Sequence, residues 1–211
     1  MAADGDRLSS ARIRSRLAGS EPPRDPTRVE LPPELRQWPP YLRERLENGL
    51  KPAGVLIPIV ERSDGLSVLL TRRARALKYH AGQVSFPGGR METSDPHIGH
   101  TALREAHEEV GIQPALVEVA GYLAPTPTIT GYAVTPVVGL LPSDLRLTID
   151  PAEVERAFEV PLAFLLDAAN ERAGEREYRG LRVPIVEFRY GDERIWGATA
   201  NILLRLRSIL T

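Results

Sequence analysis

The chain contains no cysteine. Disulfide frameworks, thiol nucleophiles and cysteine-ligated zinc or iron–sulfur centres are thereby excluded. The absence suits a reducing setting, and a cytoplasmic location is expected. There is also no basic excess: 27 Lys and Arg stand against 28 Asp and Glu, for a formal net charge of −1. Nucleic-acid binding needs concentrated positive charge, so no nucleic-acid partner is expected. Long apolar runs are missing too. The stretches 54–60 and 134–141 each contain proline and fall far short of the ~20 residues of a membrane helix, so no membrane partner is expected. No apolar stretch of signal-peptide type opens the sequence. Arg7, Arg12, Arg14 and Arg16 lie among serines in the manner of a transit peptide, but Asp4 and Asp6 oppose that reading. Leu8, Ile13 and Leu17 instead suit a short surface helix lying on the protein. Finally, no GxxxxGK[ST], GxSxG or HExxH motif occurs, and no internal repeat. The phosphate-loop, serine-hydrolase and zinc-protease chemistries those motifs support are not expected.

What is present begins with 211 residues, 42% of them hydrophobic, enough to bury a sizeable core. Residues 1–50 read as an N-terminal arm with short helices. Pro22, Pro23, Pro26, Pro32, Pro33, Pro39 and Pro40 make its second half a connector. A proline-rich arm of this kind suits a homodimer. Residues 51–211 read as one domain. A helix is expected over 41–48. Strands are expected over 54–60 and 66–72, joined as a hairpin through Ser63-Asp64-Gly65. Residues 74–84 read as a polar, basic loop and Phe86-Pro87-Gly88-Gly89 as a sharp turn. A helix is expected over 99–110, with Gly111 as its left-handed cap, and strands over 116–123 and 133–141. Helices are expected over 152–158 and 162–170, a hairpin over 182–190 and 193–196, and a closing helix over 199–209. This mixture lacks a regular βαβ alternation, which disfavours a doubly wound fold.

The chemistry concentrates in TALREAHEEVGI, residues 101–112. On a helix, positions three and four apart share a face. Ala102, Leu103, Ala106 and Val110 form an apolar stripe, and Glu105, Glu108 and Glu109 stand on the adjoining side. Clustered like charges destabilise an isolated helix. A cation relieves the repulsion, and hard carboxylate oxygens suit Mg²⁺ or Mn²⁺. A bare ExxEE pattern is more often a solvated acidic face. Here the Gly-Gly turn, Asp95, Arg104 and Gly111 surround it.

Together these residues resemble the Nudix box: Gly89, Asp95, then Arg104-Glu105-Ala106-His107-Glu108-Glu109-Val110-Gly111-Ile112. The chain departs from the family pattern in three places. Eight residues rather than seven separate Asp95 from Arg104, Asp stands for Glu at 95, and Ala106 is a small occupant of the aliphatic position. The extra residue leaves the role of Asp95 open. The resemblance implies an α/β Nudix fold, an α/β/α sandwich with a mixed central sheet, and metal-dependent attack of water on a diphosphate. It implies Glu105, Glu108 and Glu109 as ligands of Mg²⁺ or Mn²⁺. Arg104 would hold a glutamate by a charge-assisted pair, and Gly88 and Gly89 would allow the tight turn. Glu105 is one candidate base. Glu153 or Glu155 is another, because many family members recruit a carboxylate from outside the box; an exposed glutamate at a helix start explains either equally well.

The preceding segment LLTRRARALKYHAGQVSFPGGR, residues 69–90, is similar to the signature of the coenzyme A diphosphatase branch. Leu69, Leu70, Thr71, Arg73, Leu77, His80, Gly82, Gln83, Phe86, Pro87, Gly88 and Gly89 match, and Ala74 replaces a usual Ser. The resemblance continues to the C-terminus and implies coenzyme A or a derivative as substrate, cleaved to 3′,5′-ADP and 4′-phosphopantetheine. The 3′-phosphate of that substrate needs fixed positive charge, which Arg72, Arg73, Arg75 and Lys78 offer. Gln83 is a candidate hydrogen-bond donor to substrate or loop. The alternatives are another diphosphate (ADP-ribose, a dinucleotide or a nucleoside triphosphate) and a non-catalytic binding module, against which the intact glutamates count.

Overall fold

The computed structural model describes residues 8–29, 31, 40–47, 49–178 and 181–211. Asp4, Asp6, Arg7, Pro32, Pro33, Pro39 and Asn48 lie outside the described residues. Eleven strands are described: β1 (Lys51–Arg62), β2 (Gly65–Arg73), β3 (Val84–Ser85), β4 (Gly88–Arg90), β5 (Glu118–Tyr122), β6 (Thr126–Pro127), β7 (Tyr132–Leu141), β8 (Val154–Pro161), β9 (Glu171–Tyr178), β10 (Leu181–Tyr190) and β11 (Glu193–Trp196). The helices are α1 (Ser10–Leu17), α2 (Pro40–Glu47), α3 (Ile98–Val110), α4 (Leu162–Leu166) and α5 (Ala198–Leu210).

The first eight strands form one mixed sheet. Its spine is β1, which pairs in parallel with β7 from Lys51↔Tyr132 to Val60↔Leu141. On its other edge β1 pairs with β2 only from Ile59↔Val68 to the turn, and with β4 from Ala53↔Arg90 to Val55↔Gly88. The far half of β2 pairs with β3 instead, through Thr71↔Ser85 and Arg72↔Val84. The hairpin therefore splays apart, and residues 84–90 fill the gap. This wedge sets the Phe86-Pro87-Gly88-Gly89 turn within the sheet between β1 and β2, with the Leu56 N–H on the Pro87 carbonyl at 2.9 Å.

The β-strand alternation of side chains divides the core in two. Leu56, Val60, Leu69, Val137 and Leu141 face α3, where Ala102, Ala106 and Val110 pack on them. Ile57, Ile59, Val68, Leu70, Val138 and Leu140 face the other way, onto Ile13 and Leu17 of α1, Leu162 and Leu165, and the apolar side of α5. This is the α/β/α layering expected from the sequence. A second, three-stranded antiparallel sheet, ordered β11-β10-β9, adds Phe188 and Ile195 to the same layer. Helix α1 confirms the reading of Leu17 and Ile13 as its inward face; Ser9 caps it by accepting the Arg12 N–H.

Two local expectations are corrected. Residues 152–158 are not a helix: from Val154 onward they form β8, paired antiparallel with β2 from Arg73↔Val154 to Ser67↔Pro161. The open edge of β2 offers a full row of backbone partners, and that pairing outweighs the local helix preference. The expected helix 162–170 breaks at Asp167, leaving α4 and a single 3-10 turn at Ala168–Asn170. Strand β9, ERAGEREY, had no apolar alternation to mark it. It forms because β10 offers a register from Leu181↔Tyr178 to Phe188↔Glu171.

Candidate active site

Helix α3 carries the site. The His97 ring accepts the His100 N–H at its start, and Gly111 ends it at φ +73° with its N–H on the Ala106 and His107 carbonyls. Each helical residue turns by ~100°, which fans the three glutamates outward from the apolar stripe. Glu109 lies roughly 20° outside the Ala102–Val110 stripe, Glu105 roughly 60° and Glu108 roughly 120°. Their exposure follows that order: the Glu109 side chain is 2% exposed, Glu105 15% and Glu108 58%. The glutamates share a side of the helix but not an environment.

Arg104 is held at the hub. Its Nε and Nη2 donate to Asp95 Oδ1 and Oδ2, both at 3.1 Å, and its Nη1 lies 2.9 Å from Glu105 and 3.0 Å from Glu108. Asp95 is buried and also accepts from His100 Nδ1, Thr101 Oγ1 and the Glu92 N–H. Burial alone would raise its carboxyl pKa. The bonds from Arg104, Glu92, His100 and Thr101 outweigh that and hold it well below the usual carboxylate range. Asp95 in turn raises Arg104, with Glu105 adding to the effect. Sequence reading left Asp95 without a role; it is the anchor through which the loop before α3 orients Arg104.

Glu105 and Glu109 lie beneath the Gly88-Gly89 turn. The Gly88 N–H donates to Glu109 Oε2 at 3.3 Å. A Cβ on Gly89 would occupy the place of the Glu105 carboxylate, and one on Gly88 would meet the Gly54 carbonyl at 2.5 Å. Side chains are therefore excluded where the turn meets the helix. Burial raises the Glu105 carboxyl, Arg104 opposes this, and the charges of Glu108 and Glu153 add to it. Glu109 is pushed up to about 8, again by burial first, with Glu105 and Glu153 adding against the opposing Arg73. Glu153 is thus electrostatically part of the cluster, although it comes from the loop before β8.

The segment 69–90 meets this cluster unevenly. Arg73 reaches Glu109 with Nη1 at 3.5 Å. The Ala74 N–H donates to the Glu153 carbonyl at 2.8 Å, and Arg73 and Gln83 are joined through backbone N–H to O at 2.9 Å. Strand alternation sends Arg72 to the opposite face of the sheet, where buried Glu193 of β11 accepts from its Nε at 3.1 Å and its Nη2 at 2.7 Å. Arg72 is thus not brought together with the glutamates. Arg75 pairs with Glu155 at 3.3 Å on the surface, and Lys78 stands exposed at the loop tip.

A NUDIX domain family model matches residues 50–179. The chain belongs to the Nudix hydrolase family. An "Uncharacterized Nudix hydrolase NudL" of Photorhabdus laumondii is 43% identical over 84% of this chain and 90% of its own length. One of the same name from Escherichia coli O7:K1 is 43% identical over 80% and 86%. Among solved structures, the Nudix domain of Shewanella oneidensis NrtR, complexed with ADP ribose, covers 63% of this chain and 83% of its own at 22% identity, with a TM-score of 0.44. As a Nudix hydrolase, the chain acts on the pyrophosphate bond of a nucleoside diphosphate derivative.

Nudix hydrolases generally use divalent metal ions. Among the described residues no three His, Cys, Asp or Glu side chains are already gathered as ligands. Glu105 and Glu108 are turned onto Arg104, and Glu109 onto Gly88 and Arg73. The donor set nonetheless fits a hard dication. It supplies only carboxylate oxygens, and Glu105 and Glu109 are desolvated carboxyls whose ionised forms lack sufficient compensation.

Proposed function

We propose that this chain is a Mg²⁺- or Mn²⁺-dependent diphosphatase of coenzyme A and its acyl derivatives, releasing 3′,5′-ADP and the (acyl-)4′-phosphopantetheine. The observation that carries this reading is the docking of segment 69–90 beside the carboxylate cluster, with the Gly88 N–H and Arg73 on the Glu109 carboxylate and the Ala74 N–H on the main-chain carbonyl of Glu153. The stretch similar to the coenzyme A branch is therefore the wall of the site. Glu105, Glu108 and Glu109 would hold the metal. When bound, such an ion neutralises diphosphate oxygens and favours ionisation of the attacking water.

The remaining chemistry belongs to the chain's own residues. Arg104, fixed by Asp95, presents Glu105 and Glu108 in one orientation. Glu153 takes the water's proton; Glu105 is the other carboxylate able to do so. Gly88 and Gly89 let the turn close directly onto Glu109 and Glu105, where a side chain would collide. The long Arg73 contact to Glu109 is weak enough to exchange for a phosphate oxygen. Gln83 braces the loop, and Lys78 supplies positive charge for the 3′-phosphate. Arg72 serves this site by holding β11 to β2. A cytoplasmic location and a homodimer belong to the same reading, the latter read by sedimentation.

The test is a substrate panel of coenzyme A, 3′-dephospho-coenzyme A, ADP-ribose and diadenosine polyphosphate, with Mg²⁺ and Mn²⁺, read by product identity. Coenzyme A should give the highest kcat/KM. ADP-ribose turned over equally fast would defeat the coenzyme A reading. Glu108→Gln should lower turnover by roughly 10²-fold or more with the fold unchanged by circular dichroism. Full activity in that variant would remove Glu108 from the metal site.

A further inference from the structure

The loop between β2 and β3 is built as a braced projection. Its foot is closed by two backbone bonds, Arg73 N–H to the Gln83 carbonyl at 2.9 Å and Gly82 N–H to the Arg73 carbonyl at 3.0 Å. Inside, Leu77 N–H bonds the Ala74 carbonyl and Gln83 N–H the His80 carbonyl. His80 is held in the left-handed region at φ +58°, the sole non-glycine there among the described residues, and its ring is bonded to the Gln83 side chain at 2.8 Å. Few non-glycine residues adopt that conformation, histidine more readily than most, and the ring bond to Gln83 helps to hold it here.

At the tip stands Tyr79, 68% exposed, with the Lys78 ammonium 5.5 Å from its ring centroid. A single exposed aromatic means little by itself. This one is carried on a loop whose foot adjoins the site, since Arg73 contacts the Glu109 carboxylate and the Ala74 N–H bonds the backbone carbonyl of Glu153. The tip has no apolar partner for the ring and no acidic partner for the ammonium among the described contacts. Aromatic faces stack on purine bases, and an ammonium beside the ring meets a phosphate on the attached ribose.

We propose that Tyr79 and Lys78 form the nucleoside subsite: Tyr79 stacks on the adenine base, and Lys78, held over the same ring, meets the ribose phosphate. The substrate class this tip selects is an adenine nucleotide carrying a phosphate on its ribose. The proposal rests on the coenzyme A reading and assigns specificity to a residue outside the metal-binding motif.

The test uses the full chain, with binding of 3′,5′-ADP measured by calorimetry without turnover, and KM measured for coenzyme A and 3′-dephospho-coenzyme A. Tyr79→Ala should weaken 3′,5′-ADP binding about tenfold and raise KM for both substrates, the loss expected for one base stack. Tyr79→Phe should restore both values, because the ring and not the hydroxyl is used. Lys78→Met should raise KM about fivefold for coenzyme A alone, a surface charge contact. Values of kcat should stay within about twofold of the wild type, since the reacting atoms are untouched. If the wild type prefers coenzyme A and binds 3′,5′-ADP while Tyr79→Ala matches it throughout, the subsite assignment falls and the diphosphatase reading stands. If the wild type prefers coenzyme A yet binds no 3′,5′-ADP, the subsite assignment alone falls; if it turns over ADP-ribose equally fast, the coenzyme A reading and the subsite fall together. A Phe variant as impaired as the Ala variant overturns stacking.

Discussion

Glu109 shows how one residue's environment sets its chemistry. It is nearly sealed from solvent, and its carboxyl titrates near 8 because burial disfavours the anion, with the charges of Glu105 and Glu153 adding to that. A group whose folded pKa lies above its unfolded value contributes stability that is complete below about 4.5 and is lost as pH rises toward about 8. Metal-free protein should therefore lose melting temperature between pH 5 and 8, and Mn²⁺ or Mg²⁺ should restore it at pH 8. In the proposed metal site, binding also displaces the Glu109 proton. Calorimetry at pH 7 in buffers of different ionisation enthalpy should show about one proton released per metal bound. Proton release absent in Glu109→Gln and present in the wild type would assign it. The three glutamates were legible from their spacing only together with the Gly-Gly turn, Arg104 and Gly111 that make the stretch resemble the Nudix box. Their graded exposure was not, because it depends on where the sheet lies relative to the helix.

At the scale of the element, α3 is defined by features the sequence states openly. Its apolar stripe, the basic hub at Arg104 and the glycine at its end all sit at readable spacings. Gly111 holds φ +73°, and a Cβ there would meet Thr148 Cβ and N at 2.9 Å. Gly111→Ala should therefore cost about 2 kcal/mol, combining the left-handed penalty with the contact. The midpoint should fall by about 4–8 °C in thermal unfolding, with residual activity in the folded fraction. An unchanged midpoint would mean that the Thr148 segment simply moves aside. Strand β8 is the counterexample. Its residues VERAFEVP carry helix formers and three charges, and only the open edge of β2 makes them a strand. Asp95 is similar: its spacing to Arg104 departs from the family pattern, and its role became visible only through four donors converging on it.

Across the whole molecule, the two sheets are joined by a buried carboxylate. Glu193 of β11 bonds Arg72 of β2 and lies 3.3 Å from Arg156 of β8, two residues that face each other in the β2–β8 register. Glu193→Ala leaves both arginines without that partner. The expected cost is about 2 kcal/mol in urea unfolding, less than the ~3–5 kcal/mol of a fully buried pair because both arginines keep contact with solvent. A variant as stable as the wild type would show that apolar packing at Phe188 and Ile195 suffices to hold the sheets. Helix α1 makes a related point, since Ile13 and Leu17, far from the motif in sequence, complete the core layer under α5. The sequence by itself determined the family, the diphosphate hydrolysis that goes with it and the helix that bears the clustered glutamates, because these rest on residues within a few turns of each other. Tertiary structure decided which glutamate is buried, that Arg72 turns away while Arg73 turns in, and that residues 84–90 wedge between β1 and β2. Those outcomes depend on which face of a strand meets which layer, and on backbone pairing between segments up to a hundred residues apart, for which no local pattern exists.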